Sequence, residues 1–125
     1  MEKFRILLVD DNGPFRQTLK GTLQVSFPMI AIDEAADGDE ALQKVDAFLP
    51  DLIFMDIGLP GENGLELTKK IKATHPYIII LILTSYDMPE YREAAFQSGA
   101  DRFLCKTSSN LKELEEVVKS YQKVQ

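Results

Sequence analysis

The sequence contains almost none of the residues that would support disulfide chemistry. Among its 125 residues there is one cysteine, Cys105, and one histidine, His75. A single cysteine cannot form an internal disulfide, and this usage is typical of proteins in a reducing cytoplasm, where we expect this protein. Cys105 is interpreted as a small core residue. His75 precedes Pro76 at a predicted helix end, and we interpret it as structural.

Basic residues and long apolar runs are also scarce. The chain has 14 Lys and Arg residues against 20 Asp and Glu residues, a formal net charge of −6, which argues against a nucleic-acid-binding face on this domain. No apolar run approaches the ~20 residues that span a bilayer, and the opening Met-Glu-Lys-Phe lacks the apolar core of a signal peptide. We therefore expect no direct nucleic-acid binding and no membrane association.

The apolar residues that are present suffice for one core. Hydrophobic residues make up 45% of the chain, and the length predicts a single domain, residues 1–125. Short apolar segments alternate with helical patterns. The predicted strands are "FRILLVD", "MIAIDEA", "DLIFMDI", "YIIILILTS" and "DRFLCK". Strands that are apolar on both faces are typical of parallel sheets, so the pattern predicts an α/β domain with helices on both sides of the sheet.

The predicted helices carry recognisable start and stop residues. Pro14 is favoured at a first helical position. Asp37 and Asn63 each precede a glutamate by three residues, which is the spacing of a capping box. Gly99 is typical of the position just after a helix end, and the last helix is predicted to follow Ser109.

Polar residues stand where four of the predicted strands end. They are Asp10 and Asp11, Asp56, Thr84 and Lys106. The carboxyl ends of parallel strands share one edge of the sheet, and open α/β sheets bind ligands just outside that edge. Three carboxylates, one hydroxyl and one ammonium are therefore predicted to converge. Each of these residues alone could be a turn, a cap or a solvated charge, so the prediction depends on the whole set.

The converging acids indicate phosphoryl chemistry. Carboxylates this close repel, so one must take up a proton or a cation must neutralise them. The available donors are hard oxygens, and no His or Cys ligand motif lies near them, which favours Mg²⁺ over zinc. A partly hydrated Mg²⁺ keeps positions for phosphate oxygens, and Lys106 adds a charge for the same anion. No Ser or Cys is paired with a base, so Asp56 is the predicted nucleophile.

With these residues in place, the chain closely resembles the response-regulator receiver domain of two-component signalling. The matching pieces are "LLVDDNGPFR", "DLIFMDIGLPGENGLEL", "ILTSY", "SGADRFLCK" and the final helix, in order over nearly the whole chain. The resemblance implies a flavodoxin-like (βα)5 three-layer sandwich whose parallel sheet has the order 2-1-3-4-5.

The resemblance also implies a role for each acid. Asp56 is expected to be the phosphoryl acceptor. Asp11 and Asp56 are expected to be direct Mg²⁺ ligands, together with the backbone carbonyl of Gly58. Asp10 is expected to act through a metal-bound water.

Switching and partners are implied in the same way. Lys106 is expected to pair with the phosphoryl group, and Thr84 to hydrogen-bond it and trigger a switch in which the Phe103 ring turns inward. The donor is expected to be a sensor histidine kinase, a phosphotransfer protein or a small acyl phosphate. The receiver would catalyse only its own phosphorylation and dephosphorylation. Output is expected through the surface of the fourth helix, fifth strand and fifth helix, including a phosphorylation-dependent homodimer.

The sequence departs from the family pattern at two positions. The residue after Lys106 is Thr107, where the family usually has a cis-proline. A cis peptide bond before a residue other than proline costs ~3–4 kcal/mol. The sequence alone therefore does not decide whether the bond between Lys106 and Thr107 is trans or a strained cis bond. Phe103 stands where tyrosine is common, which removes a hydroxyl from the switch face. Tyr86 is predicted to shield the phosphoryl group from water and to lengthen its lifetime.

Three other functions compete with this interpretation. A Mg²⁺-dependent phosphatase with an aspartyl nucleophile would have a DxDx[TV] motif, but Asp56 is followed by Ile57, Gly58 and Leu59. A pseudo-receiver that only binds partners is disfavoured by the complete set of site residues. A flavin-binding protein is disfavoured because the acids would repel the cofactor phosphate.

The predicted receiver accounts for the whole sequence, so we expect an output domain to be absent or removed. The segments "DDNGPFRQTL" and "CKTSS" resemble receivers that precede helix-turn-helix output domains. This favours a receiver cut from such a protein, regulating transcription through the missing domain, over a stand-alone receiver. The kinase and the stimulus are not indicated.

Overall fold

Five strands and five helices alternate in the computed structural model, which describes residues 3–122. The strands are β1 Arg5–Val9, β2 Ala31–Ala35, β3 Leu52–Met55, β4 Ile79–Thr84 and β5 Arg102–Cys105. The helices are α1 Gly13–Ser26, α2 Gly38–Phe48, α3 Gly64–Thr74, α4 Pro89–Gln97 and α5 Leu111–Gln122. Each predicted strand segment contains one of these strands, so the predicted alternation is confirmed.

All four strand pairings are parallel, in the order β2-β1-β3-β4-β5. The predicted flavodoxin-like sheet is therefore confirmed. The strand order reverses between β1 and β3, where such sheets bind ligands. The register pairs Val9 with Met55, and the Asp56 N–H donates to the Val9 carbonyl at 3.0 Å. This register brings Asp10 and Asp56 side by side at the carboxyl edge.

The core has two halves because successive strand side chains point to opposite faces of the sheet. Ile6 and Leu8 of β1 pack on one side with buried leucines and valines of α1 and α5. Leu7 and Val9 pack on the other side with apolar residues of α2, α3 and α4. The middle strand β3 is buried throughout. With both faces of the sheet covered, a polar site is expected at an edge of the sheet, and the register places Asp10 and Asp56 at its carboxyl edge.

Two helix starts differ in detail from the sequence prediction. Asp37 caps α2 as predicted, accepting the Glu40 N–H at 2.9 Å. The Glu40 carboxylate accepts the Ala36 N–H at 2.7 Å, one residue before the donor expected in a capping box. Helix α5 is capped by Asn110, which accepts the Glu113 N–H at 2.9 Å, rather than by the serines before it.

The backbone explains two further positions. Gly99 follows α4 with φ of +104°, a conformation that glycine adopts without strain. No peptide bond within residues 3–122 is cis, so the bond between Lys106 and Thr107 is trans. Within the same range, no helix has the length and apolar character needed to cross a membrane.

Candidate functional site

Two strand ends bring the three acids together. Asp10 and Asp11 directly follow β1, and Asp56 directly follows β3. One carboxylate oxygen from each lies within 4.8 Å of the others. Asp10 and Asp56 are buried, whereas Asp11 is exposed at the mouth of the cluster. The structure thus brings together the acids that the sequence predicted to converge.

Lys106 closes the cluster from the other side. It follows β5, and its Nζ lies 2.6 Å from Asp10 Oδ2 and 3.3 Å from Asp56 Oδ2. The same Nζ lies 4.4 Å from the centroid of the Phe15 ring, a cation–π distance. An apolar ring on one flank and two carboxylates on the other hold the ammonium at the strand ends.

Charge in the cluster is unbalanced, and two pKa values reflect this. Burial raises the pKa of Asp10, and the hydrogen bonds from Lys106 and Asn12 offset only part of that effect. Burial alone would lower the pKa of Lys106, but the hydrogen bond to Asp10 and the charge of Asp56 raise it. The pKa of Asp10 is thus raised mainly by burial, and the pKa of Lys106 is raised by the two carboxylates that it faces.

The donor set fits Mg²⁺. The cluster offers carboxylate oxygens alone, and hard oxygen ligands suit Mg²⁺ rather than zinc. Asp10 has both oxygens occupied, since Oδ1 accepts the Asn12 N–H at 2.9 Å and Oδ2 faces Lys106. Asp11 is free to solvent, and the Gly58 N–H donates to Asp56 Oδ1 at 3.4 Å. A hydrated divalent cation would relieve the repulsion among the acids.

The two predicted switch residues, Thr84 and Phe103, lie on the neighbouring strands β4 and β5. Thr84 is fully buried at the end of β4, and its Oγ1 accepts the Tyr86 N–H at 3.3 Å. Phe103 is only 5% exposed, and the Arg92 guanidinium lies 4.9 Å from its ring centroid. The ring packs in the half of the core that lies against α2, α3 and α4, and its turn on phosphorylation stays a prediction.

Two residues that position the acids were missed or underestimated from the sequence. At Gly64, a Cβ atom would fall 1.9 Å from the Asp56 carbonyl oxygen, so only glycine lets α3 begin there. By its sequence context alone, Gly64 indicates only a turn that shapes the loop beside Asp56. Arg16 had no predicted role, yet its Nη1 donates to the Asp10 carbonyl oxygen at 2.5 Å. Its place one turn after the Asn12 cap was the available signal.

Comparison with known proteins identifies the family. The family model described as the response regulator receiver domain matches residues 6–119. The chain belongs to the response-regulator receiver family. Among curated relatives, this receiver is 39% identical over 105 residues to the oxygen regulatory protein NreC of Staphylococcus carnosus, covering 83% of this chain and 48% of the relative. It is 31% identical over 104 residues to the transcriptional regulatory protein DegU of Brevibacillus brevis, covering 83% and 44%.

Solved structures agree with this assignment. A two-component response regulator from Clostridium difficile superposes with a TM-score of 0.90 at 32% identity, covering 97% of each chain. A LuxR-family two-component response regulator from Aurantimonas sp. SI85-9A1 gives a TM-score of 0.88 at 31% identity, covering 99% of this chain and 88% of the other. The receiver spans slightly less than half the length of the curated relatives named above.

Proposed function

We propose that this receiver accepts a phosphoryl group on Asp56, as the receiving partner in a two-component system. The observation that carries the proposal is the position of Lys106, whose ammonium lies 2.6 Å from Asp10 and 3.3 Å from Asp56. A nucleophilic carboxylate with a cation beside it is what an incoming phosphoryl group requires. The buried position of Asp56 also limits competing water.

Asp11, Asp56 and the Gly58 carbonyl would hold Mg²⁺, with Asp10 acting through a bound water. Asp10 Oδ1 accepts the Asn12 N–H and Oδ2 pairs with the Lys106 ammonium. Asp10 therefore has fewer free lone pairs than the exposed Asp11, which supports this indirect role. When bound, Mg²⁺ offsets the negative charge of the acids and of the phosphoryl oxygens.

Asp56 makes the new bond. One of its carboxylate oxygens attacks the donor phosphorus and forms a P–O bond, while the bond from phosphorus to the donor nitrogen or oxygen breaks and the leaving group keeps the electron pair. Lys106 pairs with a phosphoryl oxygen, and the Thr84 hydroxyl donates to another. Water later attacks the same phosphorus, the bond from phosphorus to the Asp56 oxygen breaks, and inorganic phosphate and the free Asp56 carboxylate are released. The domain therefore catalyses only its own phosphorylation and dephosphorylation.

The donor is a sensor histidine kinase or a phosphotransfer protein, and a small acyl phosphate can replace it. NreC and DegU are named as oxygen and transcriptional regulatory proteins, and this receiver covers less than half of each. We infer that the receiver controls an output domain of that kind and thereby transcription.

Incubation with acetyl phosphate and Mg²⁺, followed by intact-mass measurement, tests the acceptor. Wild type should gain one phosphoryl group, and Asp56→Asn should gain none because the attacking oxygen is lost. Asp39→Asn, an exposed acid in the first turn of α2, is the matched control and should be labelled like wild type. Equal labelling of Asp56→Asn would overturn the assignment, and no labelling of wild type would favour a binding-only receiver.

A further inference from the structure

Arg16 connects the acidic loop to the edge strand of the sheet. Its Nη1 donates to the Asp10 carbonyl oxygen at 2.5 Å, and its Nε donates to Glu34 Oε1 at 2.8 Å. The first contact lies at the end of β1, and the second lies on β2. The Arg16 side chain is only 17% exposed, so these contacts are shielded from water. A planar guanidinium can hold two acceptors in a fixed relation, which an ammonium cannot.

Glu34 holds the Arg16 side chain in place and partly neutralises its positive charge. The same carboxylate accepts hydrogen bonds from Gln17 Nε2 at 2.8 Å and Lys20 Nζ at 3.1 Å. An ion pair weakens the repulsion that a free guanidinium would exert on a cation beside Asp10 and Asp11. The pairing with Glu34 therefore preserves the two hydrogen bonds of the Arg16 guanidinium and weakens its repulsion of a bound cation.

The carbonyl that Arg16 holds belongs to the peptide bond between the two acids of the loop. The Asp10 N–H is fixed by the Ala35 carbonyl at 3.0 Å, and Arg16 fixes the Asp10 carbonyl on the other side of the same residue. Because a peptide unit is planar and rigid, this second contact also sets where the chain enters Asp11. Both ends of Asp10 are thus anchored on β2, directly or through Glu34.

We propose that Arg16, held by Glu34, is a positioning residue for the divalent-cation site: it sets the Asp10–Asp11 peptide so that Asp11 and Asp56 can bind one Mg²⁺ together. The proposal depends on the proposed function only in requiring that Mg²⁺ binds at these acids. Replacing a residue that orients a metal ligand without touching the metal typically changes metal affinity 10–100-fold.

The test is a Mg²⁺ titration of the full chain without phosphoryl donor, followed through the backbone amide shifts of Asp11 and Gly58. Arg16→Gln should weaken Mg²⁺ affinity about tenfold. Lys20→Gln is the matched control because it removes the same charge and another Glu34 contact without touching Asp10, and it should change affinity less than twofold. Simple electrostatics predicts the opposite sign for Arg16→Gln, since removing a positive charge near the acids favours a cation.

Three outcomes would overturn the proposal. The first is that Arg16→Gln binds Mg²⁺ at least as tightly as wild type. The second is that Lys20→Gln loses as much affinity as Arg16→Gln. The third is wild-type affinity in Arg16→Lys, which keeps the charge but lacks the planar guanidinium and should therefore also bind Mg²⁺ weakly. If thermal unfolding shows that Arg16→Gln does not fold, the Mg²⁺ affinity of Arg16→Lys is compared with that of wild type instead. Failure of wild type to bind Mg²⁺ would instead remove the metal from the proposed function.

Discussion

At the scale of single residues, Tyr86 and Gly58 form one contact beside the acceptor. A Cβ atom on Gly58 would lie 2.7 Å from a carbon of the Tyr86 ring, so the ring lies directly over the glycine two residues after Asp56. Tyr86 is 48% exposed, so it lies between Gly58 and solvent. Any larger residue at position 58 would displace it.

Replacing Tyr86 by alanine should speed loss of the phosphoryl group from Asp56. Water attacks the phosphorus from outside, and the ring restricts its approach; lowering the barrier by ~1 kcal/mol would raise the rate about fivefold. Decay of the labelled protein in Mg²⁺ buffer measures the rate. Tyr77→Ala removes another exposed tyrosine, between α3 and β4, and should decay like wild type. If Tyr86→Ala decays no faster than Tyr77→Ala, the ring does not shield the site.

Asp11 should destabilise the fold in the absence of metal. Its carboxylate lies within 4.8 Å of the other two acids, and like charges at that distance repel by ~1 kcal/mol near water. Asp11→Asn should therefore raise the free energy of unfolding in EDTA by about that amount, measured by urea denaturation. It should also lose most of the stabilisation that Mg²⁺ gives wild type.

Glu116→Gln is the control for that experiment, because it removes an exposed acid of α5 and so tests the effect of net charge alone. Equal stabilisation by the two substitutions would assign the effect to net charge rather than to crowding in the cluster.

At the scale of elements, ion pairs attach the first two helices to the edge strand β2. Glu34 pairs with Arg16 and Lys20 of α1, and Asp33 pairs with Lys44 of α2 at 2.7 Å. Burial alone would raise the pKa of Glu34, but the hydrogen bonds from Arg16 and Lys20 lower it from 4.5. The polar side chains of β2 thus join an edge strand to helices on both faces.

Glu34→Gln should cost about 1.5–3 kcal/mol of stability at pH 7, the usual value of hydrogen bonds to a charged group. A glutamate with a lowered folded pKa stabilises the protein above pH 4.5, and this contribution is lost as the pH falls through the folded value. The difference between wild type and Glu34→Gln should therefore shrink below pH 4.5. Urea midpoints between pH 7 and pH 3 measure it, with Glu115→Gln of α5 as control. A difference independent of pH would contradict the ion-pair explanation.

At the scale of the whole molecule, the surface formed by α4, β5 and α5 is the one through which we expect output. Thr84 is buried at the end of β4, and Phe103 of the neighbouring β5 is covered by Arg92 of α4. Phe96 of α4 is 48% exposed, and Arg102 of β5 contacts Tyr121 of α5 through a 3.2 Å hydrogen bond. Thr84 pairs with Cys105 in the register of β4 and β5, two positions along β5 from Phe103, so we expect a shift of Thr84 to reach this surface through β5.

Beryllofluoride with Mg²⁺ should increase homodimerisation through this surface, and Thr84→Ala should lose most of the response while still accepting phosphate at Asp56. The hydroxyl supplies a charge-assisted hydrogen bond of ~1.5–3 kcal/mol, enough to invert a modest population ratio. Sedimentation and the NMR shifts of Phe103 and Arg92 measure the response. Thr84→Ser, which keeps the hydroxyl, should respond like wild type. A full response by Thr84→Ala would show that the hydroxyl is not the link.

The sequence by itself determined the order of elements and the identity of the clustered acids. Apolar strands such as Leu52–Met55 and caps such as Asp37 act locally, so their signals are readable in a single stretch of chain. The position of Asp56 immediately after its strand is enough to place it at the carboxyl edge once the sheet is known to be parallel. The family assignment rests on the same local segments.

Only the tertiary structure decided how those residues are held. The contact of Arg16 with the Asp10 carbonyl, the close approach of Gly64 to Asp56 and the buried Phe103 ring all join segments separated by turns or helices. Such contacts depend on how helices pack against the sheet, because burial and distance are properties of the packed core and not of sequence spacing. The same packing raises the pKa values of Asp10 and Lys106, since desolvation and facing charges exist only after the strands have assembled.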